Sequence, residues 1–293
     1  MDLCNLDVIR VLLAKHGFSF SKGLGQNFLC EPSVPRDIAE LAGIDEETCV
    51  LEVGPGIGTL TQELCRRAKK VVAIELDKRL PALLADTMGE FDNFTLLSGD
   101  VLKVDLPQIV RTHFPDARRI VACANLPYYI TTPAISALID SRCFDSITVM
   151  VQKEVADRIC AAAGTADYGA FTPYIAYHAQ ARTVLEVGRE CFVPSPKVDS
   201  AVVRMDLYKT PPVEVCDETL FFQVVKAAFA QRRKTLSNCL GTGFGSRLDK
   251  GQLRACMESC GIDPGVRGER LDIAAFAALT NAIGAALAEG TEK

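Results

Sequence analysis

Val50-Leu51-Glu52-Val53-Gly54-Pro55-Gly56-Ile57-Gly58 decides the fold. An apolar, β-branched run breaks into three glycines spaced G-x-G-x-G, and a helical pattern opens at Thr59. Glycine lets the backbone turn sharply there, and at Gly54 and Gly56 it leaves main-chain atoms open to a ligand where a Cβ would stand. A tight turn can need glycine for packing alone, so a second element is required. Glu75 supplies it, closing the next apolar run at the position where an acidic side chain accepts hydrogens from both hydroxyls of a ribose. Together they predict a site for a nucleotide-like cofactor. The spacing is not the G-x-G-x-x-G that sets a helix N-terminus on a pyrophosphate.

Outward from this turn, short β-branched runs alternate with helical patterns, the signature of a parallel sheet covered by helices. Strands are predicted over Cys49 to Val53, Val71 to Glu75, Phe94 to Ser98, Ile120 to Ala124 and Ser146 to Val151, with helices such as Leu60 to Ala68 and Thr132 to Asp140 between them. Thr183 to Val187 and Ala201 to Tyr208 follow with no long helix between, as an antiparallel hairpin at the sheet edge. That ending is more typical of methyltransferases than of dehydrogenases. Lys209-Thr210-Pro211-Pro212 reads as a linker, because consecutive prolines neither continue a strand nor enter a helix interior. Beyond it Phe221, Phe222, Val225, Ala228 and Phe229 form one helical face, and further helices are expected near Gln252 to Ser259 and Ile273 to Ala286. The expected architecture is α/β, a doubly wound Rossmann-like catalytic domain over 1–208 and a small helical domain over 209–293.

With 48% apolar residues in 293, the chain can bury a sizeable core. Its N-terminus carries Asp2 and Asp7 and lacks the basic start of a signal peptide, and Ala274 to Ala288 is too short and too interrupted to span a membrane. The twelve cysteines are scattered without a C-x-x-C pair, so they read as reduced packing residues of a cytoplasmic protein with no metal. The three histidines lie far apart and read as structural. A net charge of −5 argues against non-specific nucleic-acid binding. Any RNA-binding face must then be local, with candidates at Arg66, Arg67, Lys69 and Lys70, then at Lys197 and Arg204, and above all at Arg232, Arg233 and Lys234; charge alone does not separate this from a solvated helix end.

Asn125-Leu126-Pro127-Tyr128 follows the fourth strand, at the carboxyl edge where open α/β sheets place their ligands. An exocyclic adenine amine is a poor nucleophile because its lone pair is delocalised into the ring. Acceptors that hold its N–H groups out of plane localise that pair, and the Asn125 side-chain oxygen and the Leu126 carbonyl are such acceptors. Pro127 fixes the turn, and Tyr128 offers a ring face for stacking and for the developing positive charge, worth about 0.5–2 kcal/mol. Asp100, at the end of the third strand, can accept from an adenine amino group, although an aspartate there is equally common in a plain turn.

These segments resemble the ribosomal RNA adenine N6-dimethyltransferase family. The resemblance is carried by Gly25-Gln26-Asn27-Phe28-Leu29, the Gly54 to Gly58 turn, Asn125 to Tyr128 with Ile130-Thr131-Thr132-Pro133, Val151 to Ala156, Phe192 to Ser200, and Phe229 to Leu236, in order over nearly the whole chain. It implies that S-adenosyl-L-methionine is the cofactor, with Asn27, Leu29, Gly54, Gly56, Glu75, Asp100 and Asn125 against it. Phe192 would close on the target base opposite Tyr128; from the residues alone it is as readily a packing anchor. The segment Tyr168 to Pro173 departs from the family pattern, placing Pro173 where the family builds a continuous helix.

The resemblance further implies N6,N6-dimethylation of two adjacent adenosines in the 3′-terminal hairpin loop of 16S rRNA, within small ribosomal subunit particles and with a role in their biogenesis. A monomer is expected. Three rivals stand beside this reading: a large-subunit methyltransferase conferring macrolide resistance, an assembly factor whose binding matters more than its chemistry, and, more distantly, a nicotinamide dehydrogenase. The run Gln231 to Leu236 resembles the small-subunit enzymes.

Overall fold

The structure is a computed structural model that describes residues 1–18 and 26–291. Gly25 of the first matching segment lies outside the described residues. In chain order come α1 (Leu6–Lys15), β1 (Phe28–Leu29), α2 (Ser33–Leu41), β2 (Thr48–Val53), α3 (Thr59–Arg67), β3 (Lys70–Glu75), α4 (Leu80–Met88), β4 (Phe94–Ser98), α5 (Leu106–His113) and β5 (Arg119–Asn125). Then follow α6 (Thr131–Asp140), β6 (Ser146–Gln152), α7 (Lys153–Ile159), α8 (Phe171–His178), β7 (Ala179–Val187), β8 (Phe192–Val193) and β9 (Ser200–Leu207). The remaining helices are α9 (Glu218–Phe229), α10 (Leu236–Phe244), α11 (Lys250–Ser259) and α12 (Ile273–Thr291).

Seven strands form one sheet in the order β4-β3-β2-β5-β6-β9-β7. The strands from β4 to β6 pair in parallel, and β9 runs antiparallel to β6 with Val149 opposite Val203. Every residue of β2 is buried, as a central parallel strand covered on both faces must be. Strand order reverses between β2 and β5, and the crevice beyond their carboxyl ends is where such a sheet binds ligands. The predicted strands of this sheet are present, and β9 lies between β6 and β7. Ile38, Val50, Leu64, Val71 and Leu83 anchor a core that also takes in Leu29 and Phe192.

The chain packs as two compact units, one of Met1–Ala156 with Ala181–Leu207, the other of Asp157–Gln180 with the chain from Tyr208 onward. The sequence pattern places Asp157–Gln180 within 1–208; the packing assigns it to the helical unit. Aromatic contacts are the reason: Tyr177 meets Phe221 and Phe222 at ring distances of 4.9 and 5.4 Å, and the Tyr168 hydroxyl donates to the Leu271 carbonyl at 2.8 Å. Pro173 is the third residue of α8, in the first turn, where a backbone N–H has no helical partner to lose. Helix α10 has no counterpart in the sequence reading, because Gly241 and Gly243 break its pattern. Close packing explains Gly243: a Cβ there would stand 2.8 Å from the Ala227 Cβ of α9.

Candidate active site

The glycine turn takes its shape from backbone that L side chains avoid. Gly54 and Gly56 have φ of 68° and 60°. A Cβ on Gly56 would come within 3.2 Å of Phe28 Cε1, and one on Gly54 within 4.0 Å of Pro127 Cδ, so the turn lies against Phe28 and beside the Asn125–Tyr128 loop. The Gly54 N–H donates to the Ile74 carbonyl at 2.9 Å, tying the turn to β3. At the end of β3 the buried Glu75 accepts from the Asp77 N–H at 2.7 Å and the Gly56 N–H at 3.4 Å. Burial raises its pKa against these hydrogen bonds. Asp77 is held at about 2 by Arg79, and it accepts from Gln26 Nε2 at 2.8 Å, which fastens the segment carrying Asn27 to the same strand end.

Asn125 is the last residue of β5, paired in register with Met150. The Leu126 N–H donates to the Met150 carbonyl at 3.1 Å and its side chain is buried, so its main chain is fixed on both counts. A single 3₁₀ turn over Tyr128–Ile130 follows, closed by the Ile130 N–H donating to Pro127 at 3.1 Å. The Tyr128 hydroxyl shares a 2.8 Å hydrogen bond with Ser200 Oγ, the buried first residue of β9. One ring orientation is thereby fixed. Among the described residues, no group hydrogen-bonds the Asn125 carboxamide or the Leu126 carbonyl.

The third wall is the two-residue ribbon β1–β8, in which Leu29 is opposite Phe192. Together the turn, the loop and the ribbon enclose a cavity of about 280 Å³. Asn27, Leu29, Gly54, Gly56, Glu75, Asp100, Asn125, Leu126, Pro127, Tyr128 and Phe192 all line it, so the structure gathers every residue expected to bind the cofactor or act on the base. Phe192, whose two readings stood open, both packs in the core at 2% exposure and reaches the cavity. Asp100 accepts from the Leu102 N–H at 3.0 Å and lies 3.5 Å from Lys103 Nζ.

Glu52, Phe28, Leu76, Leu102 and Tyr129 line the cavity without having been singled out. For Glu52 the signal was present, an acidic residue inside an otherwise apolar strand. It is 1% exposed, its Oε2 has no hydrogen-bond partner among the described residues, and burial pushes its pKa up to about 8. Tyr129, 53% exposed, offers a free ring face at the rim. The lining holds three carboxyls, Glu52, Glu75 and Asp100, and no lysine, arginine or histidine among the described residues. Such a cavity opposes a pyrophosphate and attracts a cation. S-adenosyl-L-methionine, with a sulfonium, an ammonium and a ribose, fits that donor set.

The four basic residues expected to bind RNA lie elsewhere. Lys197 is exposed in a bend after β8, and Arg232, Arg233 and Lys234 occupy an exposed turn between α9 and α10, not a helix, in the helical unit. Arg232 Nη2 donates to the Ala166 carbonyl at 2.8 Å, and its Nε lies 3.9 Å from Glu269. Arg233 and Lys234 form no ion pair among the described residues.

The family model for ribosomal RNA adenine dimethylase matches residues 17–284. The chain belongs to that family. A ribosomal RNA small subunit methyltransferase A of Geobacillus thermodenitrificans is 49% identical over 284 residues, covering 96% of this chain and 97% of the other. One from Bacillus cereus is 45% identical over the same length. Among solved structures, a dimethyladenosine transferase from Plasmodium falciparum aligns with a TM-score of 0.73 at 26% identity, covering 86% of this chain and 95% of that one. The 23S rRNA methyltransferase ErmE shares the fold, with a TM-score of 0.67 at 24% identity over 88% of this chain and 100% of its own. This member of the dimethylase family is thus an rRNA adenine methyltransferase that uses S-adenosyl-L-methionine. Among the described residues, no helix is long and apolar enough to cross a membrane, and no cluster of three His, Cys, Asp or Glu side chains can hold a metal.

Proposed function

We propose that this enzyme dimethylates N6 of two adjacent adenosines in the 3′-terminal hairpin loop of 16S rRNA, acting as a cytoplasmic monomer on small ribosomal subunit particles during their assembly. The observation that carries the proposal is the pair of acceptors without a hydrogen-bond partner among the described residues, the Asn125 carboxamide and the Leu126 carbonyl, on a cavity suited to a cationic methyl donor. Curated relatives named for the small subunit support the choice of substrate.

S-adenosyl-L-methionine supplies an electrophilic methyl on a sulfonium. Glu75 binds the ribose, Asp100 the adenine, and the Gly54–Gly56 turn leaves room for the methionine part. Asn125 and Leu126 accept the two N6 hydrogens of the target adenine and turn its lone pair toward the methyl, an arrangement that lowers the barrier through orientation. Tyr128 and Phe192 hold the extruded base between them, and the aromatic faces stabilise positive charge as it develops on N6. No strong general base is required, since the N6 proton becomes acidic once the methyl has arrived. For the second transfer one acceptor holds the remaining N–H. Lys197, Arg232, Arg233 and Lys234 grip phosphates and position the particle, while the pocket selects the base.

Unmodified small-subunit particles incubated with labelled S-adenosyl-L-methionine should yield N6,N6-dimethyladenosine by nucleoside mass spectrometry. Asn125→Ala should abolish transfer and leave particle binding nearly intact. Label in 23S rRNA, or on another base, would overturn the assignment.

A further inference from the structure

Cys30 and Cys191 extend the ribbon that carries Leu29 and Phe192. The register pairs Phe28 with Val193 and Leu29 with Phe192, and one residue beyond this two-residue ladder the Cys30 N–H donates to the Cys191 carbonyl at 2.8 Å. Directly opposed residues of an antiparallel ladder have side chains on one face and Cα atoms about 4.5–5.5 Å apart. Cys191 itself ends the 3₁₀ turn Arg189–Cys191, its N–H donating to the Gly188 carbonyl at 3.1 Å, so a single backbone bond sets the two cysteines opposite each other. Opposition of that kind puts Cα atoms about 5.5 Å apart, inside the about 4.4–6.8 Å that a disulfide spans. Both cysteines are half-buried and outside any disulfide, and the Cys30 thiol donates to the Glu190 carbonyl at 3.7 Å. Cys4, the third cysteine of this neighbourhood, is buried and pushed up to about 12.

We propose that Cys30 and Cys191 are a reversible dithiol site that reacts with small-molecule disulfides and, when oxidised, staples the ribbon walling the cofactor cavity. The thiolate of one cysteine attacks a sulfur of oxidised glutathione and expels one glutathione thiolate. The thiolate of the other then attacks the protein sulfur of the mixed disulfide, forms the Cys30–Cys191 bond and expels the second. Two hydrogens and two electrons leave the protein and end on two glutathione thiols. Burial, with Glu31 and Glu190 nearby, raises the pKa of Cys191, and burial with Glu31 raises that of Cys30, so exchange accelerates as pH rises. Once bonded, Leu29 and Phe192 can no longer part, and the cavity wall they form stays shut over its contents; this second consequence rests on the cofactor reading of the cavity.

The full-length protein should be equilibrated in glutathione buffers of increasing oxidised fraction, digested without reductant and mapped by mass spectrometry. A Cys30–Cys191 linked peptide is expected, absent from Cys30→Ser and Cys191→Ser and reversed by dithiothreitol. Dissociation of S-adenosylhomocysteine from the oxidised protein should be several-fold slower than from the reduced one. Linkage of Cys30 to Cys4 instead, or glutathione adducts alone, would overturn the dithiol site. A Cys30–Cys191 bond that leaves the dissociation rate unchanged would overturn the staple while the cofactor site stood.

Discussion

Leu29 and Phe192 stand directly opposite each other in an antiparallel ladder only two residues long, and through it the N-terminal segment and the loop before β9 become one wall of the cavity. Because Phe192 is also a core residue, its two roles must be separated by the choice of substitution. Phe192→Ala deletes a buried ring and should cost about 3–5 kcal/mol of stability. Phe192→Leu keeps most of the packing and removes the stacking face. Base stacking on an aromatic is worth about 1–3 kcal/mol, so Phe192→Leu should lower kcat/KM roughly 5- to 150-fold with near-normal unfolding midpoints. Full activity in Phe192→Leu would leave the residue as a packing anchor.

Tyr128 is oriented by Ser200, and the hydrogen bond between them gives a graded test. Tyr128→Phe keeps the ring and loses a bond worth about 1 kcal/mol, leaving the buried Ser200 hydroxyl without that partner. A modest fall in kcat, under about tenfold, is expected in steady-state methyl transfer. Tyr128→Ala removes the stacking face itself and should fall much further. Equal losses in both would mean that the hydroxyl, not the ring, carries the effect.

Glu52 sets a pH dependence whose sign follows from its burial. Its pKa rises from 4.5 to about 8 on folding, so between those values the folded protein holds a proton that the unfolded chain has released. Folding then takes up a proton, and stability falls as pH climbs through that window. In urea denaturation from pH 5 to 9, Glu52→Gln should lose this part of the slope and keep the part supplied by Glu75, whose pKa is also raised. A bound cation favours the carboxylate, so affinity for S-adenosyl-L-methionine should rise with pH in the parent protein and less so in Glu52→Gln. Parallel pH profiles in the two proteins would remove Glu52 from the site.

The sheet was legible in the sequence because each central strand is an apolar run ended by a turn residue, and the glycine turn with Glu75 located the crevice. The ribbon was not, since two-residue strands such as Phe28–Leu29 have no period to read. Phe192 entered only through family resemblance for the same reason. The role of Glu52 depends on what surrounds it, two further carboxyls, Glu75 and Asp100, in a lining without a basic side chain among the described residues, and an acidic residue inside an apolar strand does not by itself report that. The segment Asp157–Gln180 was assigned by chain proximity, whereas its tyrosines pack on Phe221 and Phe222 from beyond the linker.

Arg233 and Lys234 differ from Arg232 in a way that binding measurements can resolve. Arg232 is engaged by the Ala166 carbonyl and Glu269, so its removal also loosens the helical unit. Arg233 and Lys234 are exposed and in no ion pair among the described residues, which leaves their charge available to phosphates. Each phosphate contact releases condensed counterions, and the dependence of log Kd on log salt should flatten by about 0.7–0.9 for each contact removed. Arg233→Ala with Lys234→Ala is therefore expected to weaken binding to small-subunit particles at low salt, and progressively less as salt is raised. S-adenosylhomocysteine affinity should be unchanged, because neither residue lines the cavity. An unchanged salt slope in the double variant would move the RNA-binding face away from this turn.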